Sequence, residues 1–104
     1  YSQLPIYITE NGTSHVDVIN SDGKVDDPYR IEYLAGYIHG IGEAIAAGVP
    51  VKGYFIWSFM DNFEWSWGFE KRFGIIYVDF TTKNRIVKSS GQWLKNLLGQ
   101  LQAS

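Results

Sequence analysis

The stretch Val51-Lys52-Gly53-Tyr54-Phe55-Ile56-Trp57-Ser58-Phe59 constrains the fold more than any other. Tyr54 to Trp57 is an unbroken run of large apolar side chains. A strand with one wet face alternates apolar and polar residues. This one does not, so both of its faces need cover, as in a parallel sheet dressed with helices. The segment before it fits that demand. Asp27-Pro28 is a helix start, an acid at the N-cap followed by Pro at the first helical position. Ile31, Leu34, Ala35, Ile38, Ile41 and Ile45 then recur at spacings of three and four, giving a helix with one buried face. Gly48 and Pro50 stop it. Gly36, Gly40 and Gly42 each weaken that helix by roughly 1 kcal/mol relative to Ala, or let it approach a neighbour closely.

Upstream, Pro5-Ile6-Tyr7-Ile8-Thr9 is a short buried strand, ended by the turn signal Glu10-Asn11-Gly12. Residues 13–27 are a polar loop with a turn at Asn20-Ser21-Asp22-Gly23. Residues 60–72 are a second loop, and Arg72 to Phe80 is a β-rich hairpin arm or loop strand. Ser89 or Ser90 caps a last helix with Trp93, Leu94, Leu97, Leu98 and Leu101 on its apolar face. Two βα units joined by a right-handed crossover result. Two parallel strands leave two open edges. A complete eight-stranded α/β barrel takes about 250 residues, so these 104 residues supply about a quarter of one, with no domain boundary inside them. The chain opens on Tyr1 and its single Met is Met60, which reads as a start within a larger fold. A trimmed but complete small domain is the alternative.

Composition excludes several classes. Nine Lys and Arg against eleven Asp and Glu give a net charge of -2, without the basic footprint of a nucleic-acid binder. There is no Cys, hence no disulfide framework, thiolate metal site or Cys nucleophile, and a reducing, cytoplasmic setting is expected. No apolar run approaches the roughly 18 residues of a membrane span. His15 and His39 are too isolated for a metal site, and His39 is expected to be a structural hydrogen-bonder. Asn11-Gly12-Thr13 fits a glycosylation sequon by coincidence, and Glu70-Lys71-Arg72 reads as a solvated loop face.

Two features carry chemistry. Glu10 stands at the carboxyl end of the first strand, where α/β barrels place catalytic groups, although an ordinary loop carboxylate fits the same position. Aromatics are 16% of the chain, and the cluster Trp57 to Trp67 comes after the second strand. Indole rings pack on the C–H faces of sugars while carboxylates bond the hydroxyls. An aromatic lid over a barrel end has the same composition. Glu64 among so many rings is costly to bury without a partner, which favours a polar ligand.

Ile8-Thr9-Glu10-Asn11-Gly12 resembles the nucleophile motif of family 1 glycoside hydrolases, the β-glucosidases and their relatives. The resemblance runs through nearly the whole chain. Asp27, Arg30, Tyr33, Leu34 and His39 match the helix after the nucleophile strand. Gly53-Tyr54-Phe55-Ile56-Trp57-Ser58 and Asp61-Asn62-Phe63-Glu64-Trp65 match the last barrel strand and its loop. Arg72-Phe73-Gly74-Ile75 and Tyr77-Val78-Asp79 match the segment after that loop. Arg85, Lys88, Ser89 and Trp93 match the entry to the final helix.

The resemblance implies the C-terminal part of a TIM (β/α)8 barrel, its seventh and eighth βα units, working as a β-glucosidase without a cofactor or metal. It implies retaining hydrolysis of a β-glucoside or short β-linked oligosaccharide by two carboxylates about 5–5.5 Å apart. Glu10 would be the nucleophile. Trp57 would floor the glycone subsite, Glu64 would accept hydrogen bonds from outer sugar hydroxyls, Trp65 would donate its indole N–H, and Phe73 would be an apolar wall. The family's acid/base Glu lies in an upstream Asn-Glu-Pro motif that this chain lacks, so the chain by itself is expected to be inactive. Relatives acting on 6-phosphorylated sugars carry a Ser where Glu64 stands, with a Lys and a Tyr nearby. Lys71 is present but Phe73 replaces the Tyr, which favours an unphosphorylated gluco- or galacto-configured glycone. The expected partners are the N-terminal part of the barrel or further copies of this chain, with no nucleic acid and no membrane. The alternative is a non-catalytic, aromatic-rich carbohydrate-binding or self-assembling barrel fragment, with Trp57, Trp65 and Trp67 as its platform.

Overall fold

The computed structural model describes residues 3–63 and 70–103. Its elements are β1 (Ile6–Asn11), α1 (Pro28–Ala46), β2 (Val51–Ile56), β3 (Ile76–Val78), β4 (Arg85–Val87) and α2 (Ser89–Ala103). β1 and β2 pair in parallel, with α1 as the crossover between them, although the cover expected on both faces of these strands is present on one face only among the described residues. α1 starts at Pro28 and ends before Gly48, whose φ of 97° is the left-handed turn-off that glycine permits. β1 runs two residues past its expected end at Thr9, so Glu10 and Asn11 lie inside the strand. The extension has a local cause: the Asn11 carbonyl accepts the Trp57 N–H at 2.9 Å, continuing the ladder beyond β2. β2 in turn stops at Ile56, short of the expected Phe59.

The β-rich run after Arg72 is one arm of a hairpin, β3 against an unanticipated β4. Their turn is held by the Asp79 carboxylate, which accepts the Thr81 and Thr82 N–H groups and is kept below the usual carboxylate range by those bonds. Lys83 takes the left-handed position, φ 66°.

Both helices lie on one side of the β1–β2 sheet. Ile8 and Val51 line a groove with Tyr33, Tyr37, Ile41 and Ala44 of α1. Tyr54, Ile56 and Ile75 line an apolar cleft of about 390 Å³ with Ile38 of α1 and Leu94 and Leu97 of α2. The body measures 47 × 35 × 19 Å, and the thin dimension is about one sheet plus one helix layer. The other sheet face is open, with Tyr7 57% and Phe55 58% exposed. No side chain sits near Gly36, Gly40 or Gly42 at the distance a Cβ would feel, so these glycines do not serve a close helix contact among the described residues.

Among the described residues the largest fully buried side chains are mostly polar: Arg30, Lys88, Leu34, Val25, Asp27 and Ser90. Two capping expectations fail for that reason. Asp27 occupies the N-cap position of α1 but makes no side-chain cap. Its carboxylate instead accepts the Ser89 and Ser90 hydroxyls and the Ser90 N–H. The two serines thus tie the start of α2 to the start of α1 rather than capping α2.

Candidate active site

The ends of the parallel strands are laced together by main-chain bonds. Trp57 N–H donates to Asn11 O, Ser58 N–H donates to Phe73 O at 3.1 Å, and Ile75 N–H donates to Ser58 O at 3.0 Å. His15 and Arg72 exchange both main-chain bonds, at 3.0 and 2.9 Å, so the loop after β1 meets the loop after β2. Gly12 is required here. A Cβ on it would lie 1.8 Å from the Trp57 carbonyl oxygen. The Trp57–Ser58 peptide is cis.

This lacing gathers three of the expected site residues. Glu10 is an exposed carboxylate next to the end of β1. Trp57 comes directly after β2 and is 37% exposed. Phe73 is half-buried beside Ser58. Glu64 and Trp65, and Trp67 of the aromatic cluster, lie outside the described residues. His39 sits on the exposed face of α1 and pairs with the similarly exposed Glu43 one turn on, at 2.9 Å. Among the described residues no group of three or more His, Asp or Glu is arranged to hold a metal ion.

Behind the strand ends lies a buried ionic network that sequence reasoning missed. Lys88 Nζ bonds Asp17 at 2.6 Å and Asp61 at 2.8 Å, with all three side chains fully buried. Arg30 pairs with Asp17 at 3.0 Å and with Asp27. Arg72 pairs with Asp61 at 2.8 Å. Three carboxylates thus face three cations, and the Asp61 oxygens also accept the Gly74 and Val78 N–H groups. No buried side-chain polar atom among the described residues lacks a partner, which is what makes so many buried charges tolerable. Arg72 is therefore no solvated loop residue. Its side chain is 12% exposed and its guanidinium stacks 4.1 Å from the Tyr77 ring centre and 4.5 Å from that of Phe80.

A second polar cluster is centred on Asn11, the residue after Glu10. Tyr54 donates its hydroxyl to Asn11 Oδ1 at 2.8 Å, and Asn11 Nδ2 reaches the Tyr33 hydroxyl at 3.5 Å. Burial pushes both phenols above the ordinary tyrosine range, helped at Tyr33 by its bond with Tyr37 and at Tyr54 by the neighbouring Tyr33. Both therefore stay protonated. The stability they contribute is fully present below pH about 10 and is lost as pH rises through their folded-state values.

Comparison with known proteins fits this geometry. The family model "Glycosyl hydrolase family 1" matches residues 1–102. Beta-glucosidase A of Thermotoga maritima is 53% identical over 98 residues, covering 94% of this chain and 22% of that protein. A 6-phospho-beta-galactosidase of Staphylococcus haemolyticus is 52% identical over 93 residues, 88% of this chain and 20% of that protein. The solved structure of the family 1 β-glucosidase from Thermotoga maritima in complex with isofagomine lactam superposes with a TM-score of 0.89 at 54% identity, over 91% of this chain and 22% of that one. The chain thus spans about a fifth of the length of its relatives. Its parallel strands, crossover helix and laced strand ends are part of a (β/α)8 barrel, and the chain belongs to glycosyl hydrolase family 1.

Proposed function

We propose that this chain is the C-terminal segment, the seventh and eighth βα units, of a retaining β-glucosidase that acts on unphosphorylated β-glucosides. The observation that carries the reading is the position of Glu10. It is exposed at the carboxyl end of β1, on the motif Thr-Glu-Asn-Gly, beside the strand end that presents Trp57. In the proposed double displacement, Glu10 attacks the anomeric carbon and forms a glycosyl-enzyme. A second carboxylate, from an upstream strand, protonates the leaving oxygen and then activates water. Trp57 supports the glycone from below and Phe73 walls it. Glu64 and Trp65 take the outer hydroxyls.

Identity does not separate the glucosidase from the 6-phosphoglycosidase relatives, at 53% and 52%. Glu64 and Phe73 do. A carboxylate in the outer subsite repels a phosphate dianion and accepts hydrogen bonds from a free sugar hydroxyl. The open sheet face, with Tyr7 and Phe55, is proposed to pack against the rest of the barrel, or against other copies where that part is missing.

The test is to substitute this segment for the matching part of the Thermotoga maritima β-glucosidase. Turnover of a fluorogenic β-glucoside is expected, with little on its 6-phospho-β-galactoside counterpart. Glu10→Gln should reduce turnover by at least about a thousandfold, and the 104-residue chain alone should show none. Preference for the phosphorylated sugar would contradict the assigned specificity. Unchanged turnover in Glu10→Gln would contradict the assigned nucleophile.

A further inference from the structure

We infer that Tyr54 is a positioning residue for the Glu10 carboxylate, acting through Asn11 and a bulge in β1; this rests on the reading of Glu10 as nucleophile. The register carries the argument. Ile8 pairs with Tyr54 and Asn11 with Ile56, so β1 advances three residues while β2 advances two. The surplus falls on Thr9-Glu10. A bulge of this kind re-aims side chains and needs something to hold it. Ile8 lines the groove against α1, and the Asn11 amide reaches Tyr33 of the same helix. Strict alternation would put residues 8 and 11 on opposite faces. The bulge lets both face the helix, and Glu10, next to Asn11, is turned to the open face. Without it, Glu10 would be aimed at α1.

Asn11 is the point where the bulge is fastened. Its carbonyl takes the Trp57 N–H at 2.9 Å and its side-chain oxygen takes the Tyr54 hydroxyl at 2.8 Å. The 3.5 Å approach to Tyr33 is the weakest of the three contacts. Gly12 then abuts the Trp57 carbonyl, so the chain has no slack on the far side of Asn11. Tyr54 comes from β2 and faces the helices, away from the sugar. Its hydroxyl touches no substrate, yet it sets the direction from which Glu10 approaches the anomeric carbon. A nucleophile held in a near-attack position loses rate steeply when displaced by about 1 Å.

The test uses the substituted full-length enzyme and a 2-deoxy-2-fluoro-β-glucoside, which forms the glycosyl-enzyme but releases it slowly. Following intact mass gives the inactivation rate constant and the reagent's binding constant separately. Tyr54→Phe keeps the ring and removes the hydroxyl. It should lower the inactivation rate constant by about 10- to 100-fold and leave reagent binding within about threefold. Asn11→Ala should do the same, and the double variant should be no worse than either single one, because both act along one path. Tyr33→Phe should have a smaller effect. A Tyr54→Phe enzyme that melts earlier but labels at the parent rate overturns the inference and leaves Glu10 as nucleophile. Additive losses in the double variant also overturn it. A parent enzyme that takes no label on Glu10 overturns the underlying reading, and this inference with it. Should Tyr54→Phe fail to fold, Asn11→Ala decides between the same outcomes.

Discussion

The loops at the strand ends and the sheet they crown are stabilised in opposite ways. The loops carry their own support: Asp17, Asp27, Asp61, Arg30, Arg72 and Lys88 form a closed set of ion pairs with every buried side-chain polar atom among the described residues satisfied. The sheet does not. One face rests on α1 and α2, while Tyr7 and Phe55 on or beside the other are more than half exposed. A domain of this size normally hides such side chains. The contrast teaches where each part gets its shape. The geometry of the site rim is encoded within this chain. The open face of β1 and β2 is not covered by any of the described residues.

The sharpest way to break the comparison is at Lys88. Lys88→Met should cost about 3–5 kcal/mol in urea unfolding of the substituted full-length enzyme, because Asp17 and Asp61 are left buried and facing each other without their shared cation. A loss under about 1 kcal/mol would mean that the network is not a structural unit. Next in size is the open face. Phe55→Ser should destabilise the full-length enzyme by about 1–3 kcal/mol, yet reduce self-association of the chain alone in light scattering. Unchanged stability of the full-length enzyme together with unchanged self-association of the chain alone would show that this face is not an interface. The smallest effect belongs to a pair outside both regions. His39 and Glu43 are 79% and 71% exposed, and His39→Ala should change stability by no more than about 0.5 kcal/mol.

The elements that rest on local rules were legible in the sequence. Pro28, the three-and-four spacing of α1 and Gly48 placed that helix, and the run Tyr54–Trp57 announced a strand, although only one of its two faces is covered among the described residues. The motif around Glu10 pointed to the site. What escaped depends on contacts between distant residues. Lys88 and Asp17 are 71 positions apart, and nothing near either marks them as partners. Ser89 and Ser90 looked like caps because capping is a local rule, but they serve Asp27, more than 60 residues away. β4 is three residues long and exists only by pairing with β3. The bulge at Thr9-Glu10 is equally invisible, since it is a relation between two strands rather than a property of either.

The most direct test of the central claim is to find where the sugar becomes attached. The substituted full-length enzyme would be inactivated with the 2-fluoro glucoside, digested, and the labelled peptide sequenced by mass spectrometry. The account predicts one added glycosyl group per molecule, on Glu10. A label on any other carboxylate, or inactivation without a covalent adduct, would contradict it.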